Sequence, residues 1–68
     1  MPKLLSSAQV VKVLRSEGFI FISQRGSHAK FRKDSLTAIV PMAKKEIPHG
    51  TLRSIIRQSG LTKDLFQK

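Results

Sequence analysis

Arg25-Gly26-Ser27-His28, continued at alternate positions by Lys30 and Arg32, is the stretch of this chain whose residue types can do chemistry together. An imidazole suits proton transfer near neutral pH, because its unperturbed pKa of about 6.5 lies close to that of the cell. A guanidinium presents a planar fork to phosphate oxygens, whereas an ammonium acts as a mobile point charge. Glycine lets backbone approach a phosphate closely. These are the parts for cleaving RNA through attack by the ribose 2′-hydroxyl: a base takes the 2′ proton, and cations stabilise the charge developing on the phosphate. In that reading His28 is the base, and Arg25, Gly26, Ser27, Lys30 and Arg32 hold the RNA. In the plainer reading His28 hydrogen-bonds within a turn and the cations solvate one face of a sheet. The local pattern leaves both open.

The other familiar catalytic frameworks are missing. There is no Cys nucleophile, no paired carboxylate near a His, no Gly-rich phosphate loop and no His-Glu zinc spacing. Two His and four scattered acids make no conventional metal set, so neither a metal nor another cofactor is expected. His49, between Pro48 and Gly50, reads as a turn or first-turn residue, with a chemical role as the alternative. Lys44 and Lys45 stand on a polar connection, where they reach backbone phosphates or simply solvate a loop. Arg53 and Arg57, one helical turn apart, either extend the basic track or meet an acidic partner. The Phe residues read as core, which leaves no aromatic platform for stacking bases.

Thirteen Lys and Arg against four Asp and Glu give a formal net charge of +9. On so small a surface that charge draws in polyanions: a nucleic acid, an anionic membrane or an acidic protein. No apolar run approaches the roughly 20 residues of a membrane span. Gln9 and Lys12 interrupt the N-terminal apolar stretch, so it is not a signal peptide, and the expected location is the cytoplasm. The 68 residues make one domain, 1–68, without Cys to staple it. Such a chain buries only about 60% of its unfolded surface. Leu, Ile, Val and Phe supply 21 residues, enough for a packed core.

The elements that must position the motif follow from periodicity and punctuation. Ser6 and Gln9 have capping-box spacing, and Leu5 and Val10 flank them as a hydrophobic staple. Val10, Val13, Leu14 and Glu17 share one face of a helix that runs from Ser6 to Gly18, where glycine suits the C-terminal cap. Phe19-Ile20-Phe21-Ile22 reads as a buried strand, ended by a turn at Gln24-Arg25-Gly26. From His28 the pattern alternates, with Ala29 and Phe31 to one side and His28, Lys30 and Arg32 to the other. Asp34-Ser35 turns the chain into a third strand, Leu36 to Val40, stopped by Pro41. Helical spacing returns with Leu52, Ile55, Ile56 and Ser59, beginning near Pro48 or at Gly50-Thr51 and capped by Gly60. A last helical turn has Thr62 as N-cap and Leu61 and Phe66 as its staple. The predicted fold is therefore α+β, a two-layer α-β-β-β-α domain with a three-stranded antiparallel sheet and both helices on one face. That order also belongs to the double-stranded RNA-binding fold, which by itself assigns no function.

Several segments together resemble the HicA toxin family: Gly18-Phe19, Arg25-Gly26-Ser27-His28, the Val40-Pro41 strand end, Lys45-Glu46-Ile47, and Gly50-Thr51-Leu52-Arg53-Ser54-Ile55. They stand in the family's order and near its spacing, over nearly the whole chain. The resemblance implies a ribosome-independent mRNA endoribonuclease on a double-stranded RNA-binding-like fold, working without a metal. It implies His28 as the catalytic histidine, and a HicB-type antitoxin that covers the active face. One departure is visible. Many members carry a second His shortly after the strand-end proline, where this chain has Met42-Ala43, which leaves open whether His49 or a lysine takes that auxiliary part. Two other classes fit the same charge: a non-catalytic RNA-binding module on the same basic face, and a protein-interaction domain for an acidic partner.

Overall fold

A computed structural model describes residues 4–67. Its element order is α1 (Ser7–Ser16), β1 (Ile20–Arg25), β2 (His28–Lys33), β3 (Leu36–Pro41) and α2 (His49–Ser59), then a single 3-10 turn, Lys63–Phe66. The strands form one antiparallel sheet in the order β1-β2-β3. This is the α-β-β-β-α, α+β architecture that the sequence patterns predict.

α1 begins as its sequence requires. The Ser6 hydroxyl accepts from the Gln9 N–H at 3.2 Å, and the Gln9 side-chain oxygen accepts from the Ser6 N–H at 2.9 Å. This reciprocal pair satisfies two of the donors that every helix start leaves free. At the other end the helix stops two residues short of Gly18, which takes φ +97°. The Lys33 ammonium donates to the Glu17 carbonyl at 2.8 Å, placing a cation on the carbonyl end of α1.

Val10 and Leu14 of α1, Ala29 and Phe31 of β2, Ala38 and Val40 of β3, and Ile55 of α2 meet in one buried cluster, with Phe19, Ile47 and Phe66. Both helices therefore pack on the sheet face that carries Ala29 and Phe31. α2 also protects the outer edge of β3, where the Gln58 side chain accepts from the Ile39 N–H at 3.0 Å.

Four expectations need correction. β1 is not a buried strand: it runs from Ile20 to Arg25, and Ile20, Phe21 and Ile22 are 62%, 49% and 46% exposed. The helices lie over β3 and the neighbouring β2, so β1, at the far edge, extends beyond their cover. A bulge between Phe21 and Ser23 interrupts its pairing further. Of the Phe residues, Phe19, Phe31 and Phe66 are core, whereas Phe21 only sets its ring edge-on to that of Phe31, with centroids 5.8 Å apart. Second, the first turn is Gly26-Ser27 alone, and Arg25 belongs to β1. Third, Pro41 is the last residue of β3 rather than its stop; an edge strand tolerates its missing N–H. Fourth, Thr62 precedes the 3-10 turn without making a side-chain capping bond. The open question at α2 resolves in favour of Pro48, which immediately precedes the first helical residue, His49.

Candidate active site

The first hairpin builds the site. Arg25 and His28 pair across the two-residue turn, and His28 pairs on its other side with Pro41. Residues directly opposite in a sheet share a face. The face opposite the helices thus carries three rows: Arg25, His28 and Pro41; Ser23, Lys30 and Ile39; Ile20, Arg32 and Thr37. Arg25, His28, Lys30 and Arg32 are all exposed. Successive same-face residues of β2 lie about 7 Å apart along the strand. That spacing is within the screening length of about 8 Å at physiological salt, so the cations reinforce one another's field.

Gly26 has φ +57°, the positive value that this turn position requires, and open space surrounds the place of its missing Cβ. A ligand can therefore come close to the turn. The Arg32 guanidinium donates to the Asp34 carbonyl at 3.2 Å, which directs it towards the β2–β3 turn and away from His28. Lys33 points to the helix side, as its bond to Glu17 requires, and adds nothing to the open face.

The connection after β3 joins this end of the sheet. The Met42 N–H donates to the Ser27 carbonyl at 2.6 Å. Two residues on, the Lys44 N–H donates to the Ser7 hydroxyl at 3.0 Å, and the Ser7 hydroxyl donates to the Pro41 carbonyl. Lys44 thus stands at the end of the sheet that presents His28, with Lys45 beside it in sequence and both exposed. His49 opens α2, outside the paired segments that gather Arg25, His28 and Pro41. Arg53 and Arg57 are exposed on α2, on the covered side of the sheet, so they do not continue the open-face track.

Ser7 is the residue that sequence reasoning missed. Its neighbour Ser6 carries the whole capping signal, whereas the partners of the Ser7 hydroxyl lie 34 and 37 positions away.

Among the described residues, no three His, Cys, Asp or Glu side chains gather where they could hold a metal ion. No described helix is long and apolar enough to cross a membrane. A groove of about 280 Å³ lies between α1 and the 3-10 turn, lined by Leu5, Val13 and Phe66 among others. Its lining includes no residue of β1, β2 or the turn between them, and His28 stands on the exposed face of the sheet.

The family model for the HicA toxin of bacterial toxin–antitoxin systems matches residues 7–61. The chain belongs to the HicA toxin family. The match runs from the first residue of α1 to just beyond α2, so it contains the whole hairpin, the connection with Lys44 and Lys45, and Ser7. As a HicA-family protein, the chain is a toxin of a toxin–antitoxin system, and such a toxin has an antitoxin partner. No curated protein sequence matches it.

Proposed function

We propose that this HicA-family toxin is an endoribonuclease that cleaves mRNA in the cytoplasm without a metal ion, and that a HicB-type antitoxin neutralises it by covering the open sheet face. The observation that carries this reading is the row Arg25–His28 on an exposed, basic face, with Lys30 next along the same strand. His28 takes the proton of the ribose 2′-hydroxyl, and the 2′ oxygen attacks the adjacent phosphorus. Arg25 directly opposite, with Lys30 beside it, stabilises the charge gathering on the non-bridging oxygens. The bond to the 5′ oxygen breaks, and that oxygen takes up a proton from solvent at this open site. The products are a 2′,3′-cyclic phosphate and a free 5′-hydroxyl. Gly26, Ser27, Arg32, Lys44 and Lys45 hold the flanking RNA through its backbone.

The test is cleavage of RNA by purified toxin freed of any bound antitoxin, with analysis of the new ends. Cyclic phosphate at the 3′ side of the break is the expected result. A protein that binds RNA and never cuts it is a binding module on the same face, and the enzymatic reading then fails.

A further inference from the structure

Ser7 is 3% exposed, yet its hydroxyl serves no element of its own. The start of α1 is already closed by Ser6 and Gln9. The Ser7 hydroxyl instead donates to the Pro41 carbonyl and accepts from the Lys44 N–H at 3.0 Å, while the Ser7 N–H donates to the Lys44 carbonyl at 2.9 Å. Three hydrogen bonds from one residue thus clasp both ends of the segment Pro41–Lys44.

What lies inside that clasp is the link to the site. Pro41 is paired with His28, and Met42 holds the Ser27 carbonyl at 2.6 Å. Ala43 has φ +62°, a conformation that a non-glycine residue keeps only when its surroundings impose it. The Ser7 bonds on either side are such an imposition.

We infer that Ser7 is a positioning residue for His28: its buried hydroxyl fixes the Pro41–Lys44 segment against Ser27-His28 and so sets where the imidazole stands. Its effect on rate rests on the proposed endoribonuclease reading; its effect on geometry does not. Proton transfer is sensitive to displacement, and a shift of about 1 Å can lower a rate by about 100-fold. Phosphate contacts by the long side chains of Lys44 and Lys45 act through charge and tolerate such a shift. Loss of the hydroxyl should therefore act on kcat far more than on KM.

Ser59 provides a matched control. It is 1% exposed, and its hydroxyl donates to the Ile56 carbonyl at 3.1 Å and accepts from the Leu61 N–H at 3.3 Å, at the end of α2. The full chain carrying Ser7→Ala or Ser59→Ala is compared with the parent by thermal unfolding, amide exchange, the His28 ring resonances and steady-state cleavage. Both variants should lose similar stability. Only Ser7→Ala should speed exchange at Met42 and Lys44, move the His28 resonances and lower kcat by about 10- to 100-fold with KM within about threefold. Ser7→Cys keeps the shape of the side chain with a larger atom and a weaker donor, and takes over these comparisons if Ser7→Ala does not fold. Parent-like kcat, an equal loss of kcat in Ser59→Ala, or faster exchange spread evenly over the sheet overturns the inference. If the parent does not cleave RNA, the endoribonuclease reading falls, and exchange with the His28 resonances still decides the role of Ser7: local change supports it and none overturns it.

Discussion

Arg25 closes β1 and His28 opens β2, and the two stand directly opposite across a turn of only Gly26 and Ser27. An imidazole and a guanidinium thus share one exposed face, brought together by backbone pairing rather than by a side-chain contact. Neither residue is needed by the core, which lies on the other side of the sheet. The side chains there can therefore be altered without unfolding the protein.

His28→Ala should abolish most cleavage and little else. Removing a proton-transfer group lowers rates by roughly 100- to 10,000-fold. The fold should persist because His28 is exposed, and RNA affinity should fall much less because the cations remain. Circular dichroism, filter binding and gel cleavage on one purified variant give the three readouts. Cleavage by folded variant at the parent rate removes His28 from the mechanism.

RNA binding should weaken steeply with salt, and each cation on the open face should contribute to the slope. Lys30→Ala and Arg25→Ala should each flatten the log–log dependence by about 0.7 on single strands, if each neutralises one phosphate. Arg25→Lys should restore the slope but not the full rate, since an ammonium lacks the guanidinium's fork. An affinity indifferent to salt contradicts the electrostatic account.

Cleavage should survive excess chelator, because the proposed step uses only His28 and the side-chain cations Arg25 and Lys30. Activity lost in EDTA and regained with magnesium sinks the proposed chemistry.

Two backbone positions should respond in opposite senses. Gly26→Ala meets no neighbouring atom, yet forces an L side chain into φ +57°, so it should cost about 1 kcal/mol. Ala43→Gly removes the same penalty at φ +62°, offset in part by the greater freedom of glycine when unfolded. Its net effect should be a gain below about 1 kcal/mol, read by denaturant titration. A loss of stability on Ala43→Gly shows that the loop conformation is not strained.

The antitoxin should protect the open face. His28, Lys30 and Arg32 should become shielded from chemical modification in the complex, as buried opposite charge gives specific and fast association. A partner that inhibits while touching only the Arg53 and Arg57 face of α2 leaves this account without support.

The sequence by itself determined what is written in local spacing. Ser6 with Gln9 marks the start of α1, alternation from His28 to Arg32 separates core from open face, and Gly60 ends α2; all three appear in the structure. Each is a contact or periodicity spanning a few residues, so the residues concerned are near in sequence as well as in space. Tertiary structure alone decided the rest. Ile20, Phe21 and Ile22 look like core by composition, but strand pairing sets Ile20 beside Arg32 on the face opposite the helices, and the position of β1 at the sheet edge leaves Phe21 and Ile22 exposed. Arg25 looks like a turn residue until strand pairing sets it opposite His28. Ser7 looks like an ordinary helix start until Pro41 and Lys44 arrive from more than 30 positions away. Burial and pairing depend on which surfaces meet, and no local pattern encodes a meeting between segments so distant along the chain.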